Sequence, residues 1–348
     1  MGVSFFSTIS VVTVMAALPL GIEPAAADPV ADYFKGKQVS FTHTGGPAGG
    51  FALYTRILAK HMSKHIPGSP NTVIQFKQGG GGMVGMNYMY NAAPKDGTYL
   101  LMPLPGVEAQ PFLHPTKVKF DLTKTHWIGN VTQMQSFISI RPDLKVKTWE
   151  DARKHVVKLG ASGKGSETYI MPMLMNAVLG TKFEVVTGYK GIMEATVAME
   201  KGELDGRAGG WTANMRPQWF TTSPHQVVLL VQSGATKVKQ LYPGQAAPSD
   251  VPLLTDLARN DEDRKLLRLV TRVLARAVAA PPGVPMERIK ALQAAFDTTL
   301  KDPDFLAEMK KRRLAIENPM DGKEVAGYIH DIATTPKHIV DRYTAAVR

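Results

Sequence analysis

The stretch KQVSFTHTGGPAGGFALYTRILAKHMSKHIPG, residues 37–68, decides the fold class. Residues 37–44 read as a strand and 45–50 as a glycine-rich loop. From 51 to 66, Phe51, Tyr54, Leu58 and Met62 recur at helical spacing. Pro67-Gly68 stops that helix, because proline cannot continue it and glycine accepts left-handed geometry. The same order follows at once: strand NTVIQF (71–76), loop Gly79–Gly82, short helix MVGMNYMYN (83–91), turn Ala93–Gly97, and strand TYLLMPL (98–104). Strand, glycine turn and helix in alternation predict an α/β fold with mostly parallel sheets.

The pattern resumes with new material. FISIR (137–141) reads as a strand, and Thr148-x-x-Asp151 as a capping box opening a helix. KLGAS (158–162) leads into the loop Gly163-Lys164-Gly165-Ser166 and a helix from 167 to 179. FEVVTGY (183–189), a helix over 191–201, residues 204–208 and QVVLLVQ (226–232) follow. Beyond 251 the chain is mainly helical, apart from VLARAVAA (273–280), which reads as a buried strand. Helices are expected at 286–300, 304–313 and 323–332. The strand count divides the chain into lobe one, 28–136 with 252–348, and lobe two, 137–251.

The N-terminus carries an apolar run, VVTVMAALPL, then Glu23-Pro24 and Ala25-Ala26-Ala27 ahead of Asp28. This is the form of a signal peptide over 1–27 cleaved near Ala27, although no Lys or Arg precedes the apolar run, so Met1 is an open start site. The expected location is periplasmic. The 348 residues contain no Cys, which removes disulfides and thiolate metal sites. The formal charge is +11, and cleavage removes only Glu23 among charged residues, giving +12. A basic surface suits anionic solutes. The one basic cluster, Lys310–Arg313, lies in a helical run and reads as a solvated face, so no nucleic acid is expected.

The loops Gly45–Gly50, Gly79–Gly82 and Gly163–Ser166 share one design, a strand followed by glycines and a helix start. Glycine lets the backbone approach a ligand, and the helix start offers amides with partial positive charge. Such loops bind carboxylate or phosphate oxygens, and they lie at the carboxyl ends of strands. Ser162, Ser166 and Thr168 are candidate hydroxyl donors, and Arg207 a carboxylate partner or a partner of Asp205 or Glu203. Phe51 and Trp211 wall a pocket or fill the core. Glu167 reads as a helix N-terminal acid.

Over nearly the whole mature chain the sequence resembles the substrate-binding proteins of tripartite tricarboxylate transporters, the Bug family. The stretches that carry this are GPAGGFALYTRILAKHMSKHIPGSP (46–70), QGGGGMVGMNYMYNAAPKDGTYL (78–100), GASGKGSETYIMPMLMNAVLGTKFEVVTGYKG (160–191), MEKGELDGRAGGW (199–211) and AAPPGVPMERIKALQAAFDTTLKDPDFL (279–306). The resemblance implies a two-lobe periplasmic-binding-protein (Venus flytrap) fold that captures a small carboxylate for membrane permease subunits. Carried over, the ligand-binding residues are Gly49, Gly50 and Phe51; Gly80, Gly81, Gly82 and Met83; Ser162, Gly165, Ser166 and Thr168; and Asp205 with Arg207. The common pattern has Asp four residues before the Arg matched by Arg56, where this chain has Ala52. That departure opens the ligand to more apolar or aromatic acids.

Other classes fit less well. Gly80–Gly85 matches G-x-G-x-x-G, the dinucleotide fingerprint, but the acid expected after the next strand is missing. Residues 160–165 lack the Ser or Thr of a P-loop and the glycine of a nucleophile elbow. His61 and His65 have zinc-pair spacing without a completing acid, and read as solvent-facing. No catalytic residue, metal or cofactor is expected, and the protein reads as a monomer. A sensor passing its loaded state to a membrane histidine kinase is the alternative to uptake.

Overall fold

The computed structural model describes residues 1–2, 28–47, 50–164, 166–189, 191–210, 219, 226–234, 236–238, 240–242, 245–246, 250–271, 274–312 and 314–347. In chain order the elements are α1 (Pro29–Phe34), β1 (Gln38–His43), α2 (Gly50–Met62), β2 (Asn71–Phe76), α3 (Met83–Asn91), β3 (Tyr99–Met102), α4 (Gln110–Leu113), β4 (His126–Asn130), β5 (Ser136–Ile140) and β6 (Val157–Ala161). They continue as α5 (Glu167–Leu179), β7 (Phe183–Thr187), α6 (Ile192–Glu200), β8 (Gly206–Gly210), β9 (Val228–Ser233), the small pair β10 (Gln240–Tyr242) and β11 (Gln245–Ala246), and α7 (Asp261–Arg268). β12 (Ala277–Ala280), α8 (Met286–Thr299), α9 (Pro303–Lys311), β13 (Met320–Asp321), α10 (Gly322–Ala333) and α11 (Lys337–Val347) complete the chain.

One six-stranded sheet has the order β13-β4-β12-β3-β1-β2 and a five-stranded sheet the order β7-β6-β8-β5-β9. Both are mixed. β1 pairs in parallel with β2 and β3, and β6 with β7 and β8, whereas β12 is antiparallel to β3 and β4, and β5 to β8 and β9. β13 is also antiparallel to β4, and β5 and β12 share one cause. β5 follows directly from β4 of the other sheet, and β12 is where the chain returns. A strand entering from the neighbouring sheet starts at the edge facing it and must run away from that edge. It therefore opposes strands that run toward that edge. By the same token, the carboxyl ends of β1–β4 and of β6–β8 all lie at the crossings, so the two sheets turn their carboxyl edges to one another.

Side chains alternate across each sheet, as the pleat requires. In the first, Val39, Phe41, Leu100, Met102 and Ile128 are buried with α2 and α8, and Tyr99, Leu101, Trp127 and Ala279 with α3 and α10. In the second, Ile138, Ile140, Leu159 and Ala208 pack with α5, while Phe137 joins Ala195, Ala198 and Trp219 on the α6 side. The expected lobe one includes 252–348. Within it β12 and β13 belong to the first sheet, whereas Leu266 and Leu267 of α7 and Ile339 and Tyr343 of α11 share an apolar cluster with α5 of the second.

Two local readings come out differently. Thr148 and Asp151 do form the reciprocal bonds of a capping box, yet only one 3₁₀ turn follows, Asp151–Arg153. Ala152 already accepts the Lys182 amide, which draws the chain into β6 before a helix can propagate. His61 and His65 are not solvent-facing. His61 is 5% exposed, with Nε2 2.8 Å from Glu308 Oε2, which fastens α2 to α9, and His65, in the turn after α2, has Nε2 2.7 Å from Oδ2 of Asp302, the N-cap of α9. No group of three or more metal-ligating side chains occurs among the described residues. Lys310, Lys311 and Arg312 are exposed, as read; Arg313 lies outside the described residues.

Candidate functional site

The first sheet brings three loops to the crossing edge. After β1, the loop reaches α2 at Gly50, and Arg56 reaches back to donate to the Pro47 carbonyl at 3.0 Å. After β2, Gly79, Gly80, Gly81 and Gly82 all have positive φ, at 125°, 56°, 65° and 95°. Four consecutive residues in that region are accessible only to glycine, and they wrap a tight turn into α3. The turn lies against Thr44: a Cβ on Gly82 would fall 2.9 Å from Thr44 Oγ1, and one on Gly85 would fall 2.6 Å from Thr44 Cγ2 and 2.9 Å from the Lys77 carbonyl. Gly85, the last glycine of the fingerprint-like run, thus serves close helix–strand packing. Gly80 and Gly81 are exposed, and a Cβ on Gly81 would meet nothing within 4 Å. Met83 is buried beneath them.

The second sheet contributes the start of α5 and the start of α6 at Gly191–Ile192. Two of the hydroxyls expected to face a ligand, those of Ser166 and Thr168, are occupied. Ser166 Oγ donates to the Gly163 carbonyl at 2.6 Å, so the 2.6 Å contact with Thr168 Oγ1 uses the Thr168 proton. Thr168 Oγ1 in turn accepts the Ser162 amide at 3.2 Å. These side chains shape the loop that leads into α5, whose first turn, like that of any helix, has amides with no acceptor within the helix. Gly209, φ 133°, closes in beside Thr168 and Ile192.

Asp205 is placed elsewhere. It precedes β8 at the opposite edge of the sheet, where Oδ2 accepts the Lys158 amide at 2.8 Å and Oδ1 lies 3.8 Å from Arg141 Nη2. The strand that carries it runs toward the crossing, so its first residue begins farthest from it. Arg207 is fully buried in the strand, paired in register with Gly160 and Ser139, and its guanidinium lies 5.5 Å from the Trp219 ring under α6. Gly50, Phe51, Gly80–Gly82 and Met83 therefore gather on one side of the crossing and Ser162, Ser166 and Thr168 on the other. Gly49, Gly165 and Trp211 lie outside the described residues.

Three residues at this edge carry no motif in the sequence. His43 ends β1, is 1% exposed, and donates from Nδ1 to the Met102 carbonyl at 3.0 Å. Its ring stacks on Phe51 with centroids 5.8 Å apart. Burial pushes its pKa down, and the nearby Arg276 charge pushes it the same way, so it is neutral with the Nδ1 proton. Thr44 Oγ1 accepts the Leu104 amide at 2.8 Å, joining the loops after β1 and β3. Arg276 places its guanidinium 3.7 Å from the Phe51 centroid. Only the strand-crossing topology could have announced it.

No protein-family model and no curated protein matches the chain. Solved structures do. A TctC solute-binding protein from Polaromonas aligns at TM-score 0.68 with 17% identity, over 89% of this chain and 98% of that one. The periplasmic binding protein BugD aligns at 0.61 and 19%, over 89% and 97%. MatC of Rhodopseudomonas palustris with bound malate aligns at 0.60 and 18%, over 90% and 99%. At such identities the shared property is the fold. Two α/β sheets with facing carboxyl edges, joined by strands that cross between them, give this chain the two-lobe fold of the TctC and Bug periplasmic binding proteins.

Proposed function

We propose that the protein is an exported solute-binding protein of the Bug type, which holds a small carboxylate between its lobes and presents it to a membrane transporter. The observation that carries this reading is the convergence of three helix starts, those of α2, α3 and α5, on the facing carboxyl edges of both sheets. Each start offers backbone amides and the positive end of a helix dipole to an anion. Structures of the same fold are described with malate and with adipate, which supports an acid as the ligand class. The lobes are 28–136 with 252–348, apart from α7 and α11, which pack on the second sheet, and 137–251; they close by bending at the crossings. The leader-like N-terminus and the neighbours, which include a periplasmic binding protein, support periplasmic residence.

The test is a thermal-shift screen of the purified protein against aliphatic dicarboxylates, hydroxy acids, aromatic acids, amino acids and NAD. A ligand at a hundred times its Kd adds about 2.7 kcal/mol. Stabilisation by one acid class is expected. A response to NAD alone sinks the reading and restores the dinucleotide one.

A further inference from the structure

The strand that returns the chain from the second sheet begins with a cation. Arg276 immediately precedes β12; its amide donates to Asn130 Oδ1 at 2.9 Å, and its carbonyl accepts the Val131 amide at 3.1 Å. Its backbone is thus held by both crossings, since residues 130 and 131 lead out of the first sheet as 276 leads back in. The side chain folds over the first turn of α2, 3.7 Å from the Phe51 centroid and 4.5 Å from that of Tyr54. Tyr54 is itself anchored, donating to the Ala315 carbonyl at 2.6 Å. Nη1 donates to the Ala275 carbonyl at 2.7 Å, while Nε is buried and meets no acceptor among the described residues.

This cation has no counter-ion among the described residues. Burial lowers its pKa to about 10, and only the Tyr54 phenol opposes that shift. Glu317, whose charge reaches Tyr54, is itself raised by burial and does not compensate Arg276. An unpaired, desolvated guanidinium is costly, and two aromatic faces return part of the cost while fixing its plane. What the site lacks is a planar anion.

We infer that Arg276 is the specificity-determining residue of the cleft, taking one carboxylate of the bound acid at the N-terminus of α2. A guanidinium offers its donors in a rigid fork that matches a carboxylate, with the amides of the helix start adding to the grip. The position explains more than affinity. Because the crossing strands hold Arg276, an acid bound there touches the hinge itself, and its remaining groups extend toward the glycine turn at 79–82 and the start of α5. A neutral amide of the same shape would leave the cation unpaired. This inference rests on the solute-binding reading.

The experiment is titration calorimetry of the full chain and two variants with succinate, adipate, malate, benzoate and the monoamide of whichever acid binds best. R276M keeps apolar contact with Phe51 and Tyr54 and removes the desolvated charge, so its unfolding midpoint is expected to equal or exceed that of the wild type. Its affinity for the acid should fall at least about 30-fold, and its preference for acid over monoamide should disappear. R276K, which keeps a charge without the fork, should fall between the two. Acid binding by R276M within about threefold of wild type overturns the assignment and leaves the solute-binding reading standing. Loss of stability together with affinity in R276M assigns Arg276 a structural role and overturns it as well. No acid binding by the wild type overturns both.

Discussion

Thr44 Oγ1 accepts the Leu104 amide at 2.8 Å, and this bond ties the loop that follows β1 to the loop that follows β3. Thr44 is 1% exposed, so its oxygen is the acceptor the Leu104 amide has in place of water. T44V keeps the shape and removes the acceptor. A loss of about 1–3 kcal/mol in urea unfolding is expected. Because Gly82 and Gly85 pack on the same side chain, weaker acid binding should accompany it.

The glycines of the second loop separate into two kinds. At Gly85 the obstacle is contact, and G85A should cost about 1–3 kcal/mol through overpacking against Thr44 and the Lys77 carbonyl. At Gly81 there is space but φ is 65°, which a β-branched residue resists. G81V should therefore cost about 1–3 kcal/mol in strain and, by rotating the exposed amides, remove acid binding from a protein that still folds. Circular dichroism and calorimetry on the two variants distinguish them. Wild-type affinity in G81V would remove this loop from the site.

Asp205 should behave as a structural residue. D205A deprives the Lys158 amide of its acceptor at the far edge of the second sheet, and a destabilisation of about 1–2 kcal/mol is expected. Acid affinity in calorimetry should stay within about twofold of wild type. A large loss of affinity would place Asp205 at the ligand after all.

Acid should weaken the protein in two stages. His43 has its pKa lowered mainly by burial, so the unfolded chain binds its proton first; the contribution is complete above the ordinary value of 6.5 and is lost as pH falls below it toward the folded value. Glu308 is lowered from 4.5 to about 2 by its bonds with His61 and Lys60, and Asp302 lies well below its usual 3.8 through Lys64 and His65. Their contributions are complete above those ordinary values and are lost between about 4.5 and 2 and below. E308Q should cost about 1–2 kcal/mol at neutral pH, because a charge-assisted bond to the buried His61 is weakened. It should also flatten the lower stage of a midpoint-versus-pH curve while leaving the His43 stage unchanged.

The regular elements were legible because their signals are local. Residues 71–76 and 83–91 are the strand and helix read from the sequence, separated by a run of four glycines at positive φ, a region that favours glycine. β4, at His126–Asn130, was missed, since four successive buried residues between two neighbouring strands have no alternation to announce them. β12 was found but read too long; only Ala277–Ala280 pairs in the sheet. The glycine loops of the site were visible for the same reason as the turns. Arg207 and Asp205 were attractive as a charged pair beside a conspicuous motif, yet a strand's direction places the first inside the sheet and the second at its far edge.

The sequence by itself determined the α/β class, the glycine loops and the helix starts behind them, because each depends on residues adjacent in the chain and on backbone angles that few residue types permit. It also contained, through its family-like motifs, the fold. Tertiary structure alone decided which edge each loop occupies, that the hydroxyls of Ser166 and Thr168 are spent on one another, and that Arg276 meets Phe51. Those facts join residues as much as 225 positions apart. They follow from strands that leave one sheet for the other and return, and the direction of such a strand is set by where it enters, which no local pattern records.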